Sequence, residues 1–169
     1  MTFAPPPVYP PDLPLRELRT PELLLTITFR LFVEAWYAPG DRRGDWCGGL
    51  RAAGLTLSDT SAFERLFAIL IVTQQRPLQI GCPHYPALSR DEARLLQIVS
   101  LFQRGRRDGA AAVLGTWLPP TAQRLAIAPA HALAQALATR NLLIPWRHAQ
   151  AADVRTGQPV YRHGLALVQ

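Results

Sequence analysis

The chain has 169 residues, of which 49% are hydrophobic, so it is long enough to bury one sizeable core without a metal or disulfide framework. Charged residues make up 18% and the formal net charge is +6, a balance that excludes a disordered tail, a collagen-like chain and a disulfide scaffold. All 18 basic residues are arginine, which, with the abundant Ala, Leu and Pro, is typical of a GC-rich bacterial genome.

The first 19 residues form a proline-rich segment. Its opening, MTFAPPPVYPPDLPL, has six prolines and no basic residue, which predicts an extended arm and not a secretory signal. We therefore expect a cytoplasmic protein in which Cys47 and Cys82 are free buried thiols. Because an extended arm lacks local hydrogen bonds, it is also a candidate for docking on a protein partner.

Two segments of the first half predict helices that are apolar nearly all round. The first runs over 21–38 and carries Arg30, so it is too short and too polar to cross a membrane. The second runs over 62–73 behind a predicted capping box of Ser61 and Glu64. Helices of this kind must be covered on most sides, and we expect them at the centre of the fold.

The shorter elements complete a mainly α fold. A short helix is predicted at 46–53, and a capping box of Ser89 and Glu92 opens an amphipathic helix that ends near Gln103. The remaining predicted elements are helices at 110–118, 121–125 and 129–140 and a small C-terminal β-hairpin at 153–165. The expected architecture is a compact bundle of six or seven helices, with residues 1–19 as an arm and 20–169 as one domain.

The charge of the chain is unevenly distributed. Residues 1–85 carry eight arginines and eight acidic residues, whereas residues 86–169 carry ten arginines and four acidic residues. Within the domain, this gives a neutral half at 20–85 and a basic half at 86–169. A basic half is the electrostatic footprint that binding to nucleic acid requires, although it also confers solubility.

No motif of an enzyme or of a metal site is present in full. The sequence has no phosphate-binding glycine loop, nucleophile elbow or HExxH motif. Cys82 and His84 form the one short-spaced ligand pair, and Cys47 is a candidate third ligand, but a structural zinc site takes four ligands. We therefore predict no metal and no cofactor. Catalysis is not predicted, although helical folds can assemble sites from residues remote in sequence.

The sequence leaves two alternatives for function. The first is a non-catalytic interaction or regulatory protein that self-associates through apolar helix surface, because a small domain cannot cover two all-apolar helices completely. The second is a DNA-binding protein resembling a winged helix-turn-helix, in which the helix at 129–140 enters the major groove and the hairpin contacts phosphates. The candidate nucleic-acid-binding residues are His131, Gln135, Arg140, Arg147, Arg155 and Arg162.

Overall fold

The computed structural model describes residues 9–38 and 44–147, and this part of the protein is mainly helical, as predicted. The predicted hairpin at 153–165 lies outside the described residues, and within them no β-strand forms. The described α-helices are α1 (Thr20–Tyr37), α2 (Gly48–Ala52), α3 (Leu57–Thr73), α4 (Arg90–Gln103), α5 (Arg107–Leu114) and α6 (Pro120–Ala138). No helix among them combines the length and the hydropathy that crossing a membrane requires.

The core between α1 and α3 is built from aromatic rings. Phe63 and Phe67 of α3 stack with their centroids 4.6 Å apart, and Phe29 of α1 stacks on Phe67 at 5.1 Å. Phe32 of α1 meets the edge of Trp46, which precedes α2, at 4.9 Å. Aromatic rings bury a large area each, so this cluster explains how the two highly apolar helices are held together.

The centre of the fold also includes α4 and α6, which the sequence analysis did not place there. Helix α4 packs against α1, α5 and α6, and α6 packs along α3. The inner face of α4 is formed by Leu95, Leu96, Ile98, Val99, Leu101 and Phe102, all buried. Because α4 contributes both apolar side chains and buried carboxylates, it connects the core to the polar clusters described below.

Helices α3 and α6 run antiparallel. At one end, the backbone N–H of Gln75 donates to the carbonyl of Trp117 at 2.7 Å, just before α6 begins. At the other end, Arg140 forms an ion pair with Asp59 in the first turn of α3 at 2.9 Å. These contacts fix both ends of the pair, so one face of α3 is turned toward the core and the opposite face is turned outward.

Helix α3 begins earlier than the sequence analysis predicted. Its N-cap is Thr56, whose hydroxyl accepts from the backbone N–H of Asp59 at 3.3 Å, while the Asp59 carboxylate accepts from the N–H of Thr56 at 2.8 Å. The predicted cap at Ser61 and Glu64 is therefore wrong. Both pairs satisfy the capping-box pattern, and the earlier pair gives a longer helix of 17 residues with more intrahelical hydrogen bonds.

Helix α6 is continuous through Pro129, so the prediction of separate helices at 121–125 and 129–140 is wrong. A proline inside a helix leaves the carbonyl four residues earlier without its donor, here that of Leu125. Leu125 is 62% exposed, which places that turn at the solvent side. Tertiary packing maintains the helix, since its inner face carries a row of buried alanines: Ala122, Ala126, Ala130 and Ala134.

Residues 9–19 of the proline-rich segment pack against their own chain. Tyr9, Leu13 and Leu18 are buried in the hydrophobic core. The carbonyl of Leu13 accepts from the backbone N–H of Leu88 at 2.8 Å, which joins this segment to the start of α4. The described end of the predicted arm is therefore part of the domain.

Candidate functional site

Among the residues that the structure describes, three carboxylates are fully buried, and each is bound by an arginine: Glu22, Asp91 and Glu92. An isolated charge in a protein interior is strongly unfavourable, so buried carboxylates of this kind either serve a chemical step or hold the structure together. Their hydrogen-bond partners distinguish these roles, and the three clusters are described in turn.

The first cluster joins α1 to the start of α4. The guanidinium of Arg30 binds both oxygens of Glu92, with Nε–Oε1 at 2.7 Å and Nη2–Oε2 at 2.9 Å. Its remaining N–H groups donate to three backbone carbonyls of the loop at 74–89, those of Cys82, Tyr85 and Ala87. One buried arginine therefore satisfies a carboxylate and fixes the path of a long loop without regular secondary structure.

The same cluster explains a glycine in that loop. The backbone N–H of Gly81 donates to Glu92 at 3.0 Å, which brings the Gly81 main chain against the Arg30 guanidinium. A Cβ atom built at this position would lie 2.9 Å from Nη2 of Arg30. Because Arg30 is itself buried and fully bonded, it cannot move aside at low cost, so a larger residue at position 81 would displace the loop.

The second cluster surrounds Asp91. Arg76 donates to both carboxylate oxygens at 2.7 and 2.8 Å, the indole N–H of Trp117 donates at 3.1 Å, and the backbone N–H of Gln79 donates at 2.8 Å. Burial alone would raise the pKa of Asp91, but these hydrogen bonds outweigh it, and the pKa lies below its usual value. Asp91 is therefore ionised at neutral pH and has no proton to donate.

In the third cluster, residues near the beginning and the end of the described chain both bind Glu22. The hydroxyl of Tyr9 donates to Glu22 at 2.8 Å, and Arg147 donates to both oxygens at 2.8 Å. Burial opposes ionisation of Glu22, but the hydrogen bonds from Arg147, the Arg19 backbone and Tyr9 lower its pKa overall. Burial and the charge of Glu22 together raise the pKa of Tyr9, so its hydroxyl remains protonated.

In all three clusters the buried carboxylate is bound by an arginine and by further donors of its own chain. In the described part of the chain, every buried side-chain nitrogen and oxygen has a hydrogen-bond partner. A cavity of about 310 Å³ beside α1 is lined by Leu31, Glu34, Ala35, Ala38, Gly44 and Asp45. Its two carboxylates, Glu34 and Asp45, are both exposed, and Asp45 is paired with Arg51 at 2.5 Å.

The candidate metal ligands do not come together. Cys47 donates from Sγ to the Asp45 carboxylate at 3.3 Å, whereas Cys82 and His84 lie exposed in a tight turn of the loop at 74–89. Within residues 9–38 and 44–147, no three His, Cys, Asp or Glu side chains are placed to hold a metal ion. The prediction that both thiols are buried is wrong for Cys82, and Cys47 is half-buried.

Two of the candidate nucleic-acid-binding arginines form ion pairs within the domain. Arg140 donates to the carbonyl of Gly54 and pairs with Asp59, and Arg147 binds Glu22. The positive charge of both side chains is therefore partly neutralised by carboxylates of the same domain.

The other candidate nucleic-acid-binding residues divide between the surface of α6 and the C-terminal segment. His131 and Gln135 lie exposed on the outer face of α6, and the His131 ring contacts Phe102 edge-on at 5.7 Å. Arg155 and Arg162 lie outside the described residues. With α6 continuous, the predicted helix–turn–helix division is not formed, and DNA binding stays a prediction.

The outward face of α3 is the surface that the sequence analysis did not identify. At about 100° per residue, six residues share this face: Leu57, Ser61, Glu64, Arg65, Ala68 and Val72. Leu57 is 78% exposed and Val72 is 71% exposed, more than the other exposed large apolar side chains of the described part. The helix predicted from the sequence began at residue 62 and so lacked Leu57 and Ser61. Those bounds did not show that the six residues share one face.

The two charged residues at the middle of this face have no ion-pair partner among the described residues. Neither Glu64 nor Arg65 forms an ion pair or a side-chain hydrogen bond with any described residue, although both are exposed. Ser61 and Ala68, which flank them, are half-buried. The outward face of α3 therefore has an exposed apolar residue at each end and two small residues between them. At its middle it has one acidic and one basic side chain, neither of which is paired with a described residue.

Comparison with known proteins gives no relative. No protein-family model matches the sequence, and no characterised protein or solved structure shows significant similarity to the chain.

Proposed function

We propose that the protein is a non-catalytic helical interaction protein that self-associates through apolar helix surface. The observation that carries the proposal is the outward face of α3, where Leu57 and Val72 are 78% and 71% exposed at opposite ends of one helix. Fully burying a Leu or Val side chain contributes about 1.5–3 kcal/mol, so covering both ends of the face favours association.

The polar chemistry of the domain supports a non-catalytic role. The buried carboxylates Glu22, Asp91 and Glu92 are each bound by arginine and by further donors, and none of the three is exposed to solvent. A catalytic acid or base needs a proton that it can release or accept near neutral pH. The lowered pKa values of Glu22 and Asp91 oppose such a role.

Sedimentation velocity of the full chain tests this proposal. We expect the weight-average sedimentation coefficient to rise from that of a monomer toward that of a dimer between micromolar and near-millimolar protein. High salt should leave this association intact, because burial of apolar surface is not screened by ions. A chain that sediments as a monomer over the whole concentration range contradicts the proposal.

A further inference from the structure

Two arginines at the end of α4 pack on one tryptophan. The guanidinium carbon of Arg104 lies 5.3 Å from the centroid of the Trp146 ring, and that of Arg106 lies 5.2 Å from the same centroid. Cation–π attraction to the ring holds a guanidinium group in one orientation. These three residues are called the Trp146 cluster below. The cluster brings two positive charges of the basic half to one place, and its Arg104 is exposed.

The turn that ends α4 brings both arginines to Trp146. Gly105 has a φ of 68°, and the backbone N–H of Arg106 donates to the carbonyl of Leu101 at 2.9 Å. A glycine in the left-handed region with this hydrogen bond reverses the chain at the end of a helix. Arg104 precedes the reversal and Arg106 follows it, so the backbone itself sets the positions of the two side chains.

The segment that carries Trp146 is attached to the end of α4. The Gln103 side-chain amide donates from Nε2 to the carbonyl of Leu142 at 3.0 Å, and its Oε1 accepts from the backbone N–H of Ile144 at 2.9 Å. Arg104 donates from Nη1 to the carbonyl of Ile144 at 3.0 Å. These hydrogen bonds fix the chain two residues before Trp146, so the ring and the two guanidinium groups form a positioned set.

Arg104 keeps one edge of its guanidinium available. Its hydrogen bonds to described residues all come from Nη1, which binds the carbonyl and hydroxyl of Ser100 and the carbonyl of Ile144. Within the part of the chain that the structure describes, Nε and Nη2 have no acceptor and Arg104 forms no ion pair. The Nε–Nη2 edge presents two parallel N–H groups, which match two oxygens of a phosphate or a carboxylate.

The electrostatics of the Trp146 cluster favour an anion. The described acceptors of Arg104 are neutral oxygens, whereas Arg140 and Arg147 are each paired with a carboxylate. Partial burial lowers the pKa of Arg104, and the positive charge of Arg106 acts in the same direction. An anion at the Nε–Nη2 edge would reduce the repulsion between the two guanidinium groups.

We propose that the Trp146 cluster binds phosphate groups of a nucleic-acid backbone. A phosphodiester strand offers neighbouring phosphates to two neighbouring guanidinium groups, whereas a single carboxylate can engage only one parallel pair of donors. Such contacts are independent of base sequence. The site differs from the predicted one, which was centred on His131 and Gln135 of α6. It does not depend on self-association, so either proposal can fail without the other.

Exchange of Arg104 tests the site. The full chain is titrated into a labelled DNA duplex of random sequence, and fluorescence anisotropy gives the affinity at several salt concentrations. The loss of one phosphate contact reduces the slope of log affinity against log salt by about 0.9 in magnitude. We expect this reduction in R104Q, with binding about tenfold weaker at low salt. R104K retains the charge but not the parallel donors, so it should keep most of the slope and still bind more weakly than wild type.

Matched controls separate the site from the net charge of the chain. R90Q removes the same charge from an exposed arginine at the other end of α4, and this arginine has no ion pair with a described residue. We expect R90Q to leave the salt slope unchanged. R106Q removes the second guanidinium and keeps the bonds of Arg104 to Ser100 and Ile144, so it should weaken binding even where R104Q proves unstable. Thermal unfolding monitors the fold of each variant.

The outcomes that overturn the proposal are distinct. A wild-type chain that does not bind the duplex at low salt overturns nucleic-acid binding. Equal losses in R104Q, R106Q and R90Q overturn the site, because they would report net charge alone. Polyglutamate that binds as tightly as the duplex, with the same dependence on Arg104, overturns phosphate as the ligand in favour of an acidic protein surface. Binding of inorganic phosphate without binding of the duplex overturns the nucleic acid as its source.

Discussion

Arg30 and Glu92 form an ion pair between residues 62 positions apart in the sequence, and neither side chain is exposed. The pair connects the middle of α1 to the first turn of α4, and the same guanidinium binds the carbonyls of Cys82, Tyr85 and Ala87. A single side chain thus unites two helices and the loop at 74–89.

Replacing Arg30 by methionine should destabilise the protein by about 3–5 kcal/mol, because Glu92 would remain buried without its compensating charge. Urea denaturation measures this loss, and amide hydrogen exchange should show the largest increase in the loop at 74–89. The control is Arg90→Met on the exposed side of α4, which should change stability by less than about 0.5 kcal/mol. A comparable effect of the two changes would contradict the role of Arg30.

Asp91 should make the stability of the protein fall in acid. Its pKa in the folded state lies below the unfolded value of about 3.9, so its ionised form stabilises the folded state above that pH. This contribution should be lost as the pH falls through the folded pKa. Asp91→Asn should cost about 2 kcal/mol at pH 7 and reduce the slope of stability against pH below about pH 4. Asp108→Asn, at an exposed position in the first turn of α5, should cost less than about 1 kcal/mol and leave the slope nearly unchanged.

Arg147 should contribute to stability through Glu22. Arg147→Ala removes two charge-assisted hydrogen bonds from a buried carboxylate, and we expect a loss of about 2 kcal/mol in chemical denaturation. The matched control is Arg124→Ala, because Arg124 is exposed and makes one long contact, to Thr121 at 3.4 Å. Equal stability of the Arg147 variant and the wild type would show that the Glu22 cluster does not hold the fold.

Phe32 should be among the most sensitive positions of the core. It is buried and contacts the rings of Trp46, Phe63 and Phe67, so Phe32→Ala leaves a cavity and should cost about 3–5 kcal/mol. Leu125→Ala, at a 62% exposed position, should cost less than about 0.5 kcal/mol. Thermal or urea unfolding compares the two, and a loss below about 1 kcal/mol for Phe32→Ala would place this ring outside the core.

The two thiols should differ in reactivity. Cys82 is exposed, whereas Cys47 is half-buried, and burial together with its hydrogen bond to Asp45 raises the pKa of the Cys47 thiol. Since the thiolate is the reactive form, a disulfide reagent should modify Cys82 first in the native protein. The single variants Cys47→Ser and Cys82→Ser assign the two kinetic phases. A fast phase that survives in Cys82→Ser would reverse this order.

Local sequence rules predicted the start of a helix correctly where the contacts that fix that start lie within one turn. The capping box of Ser89 and Glu92 predicted the start of α4, because both residues bond the backbone within one turn. The same local rules were insufficient for α3, because two residue pairs fit the capping-box pattern there: Thr56 with Asp59, and Ser61 with Glu64. Choosing the later pair assigned Ser61 and Glu64 to a cap and left the first turn out of the helix, so the outward face of α3 could not be recognised.

The partners of charged residues could not be predicted from the sequence. Arg140 and Arg147 stand in the basic half and fit a nucleic-acid footprint by charge alone, yet the fold places them against Asp59 and Glu22 of the neutral half. Each of these pairs joins residues that are distant in the chain, so only the packing of α6 and the following segment brings them together. Acidic residues of the first half thus compensate part of the positive charge of the second.

The contacts of Tyr9 and Arg147 with Glu22 have a mechanical consequence. These two residues are far apart in the sequence but bind the same carboxylate, so a force applied at them would load the Glu22 contacts before any helix–helix interface. Hydrogen bonds loaded at one point break one after another, and the domain would open from this corner.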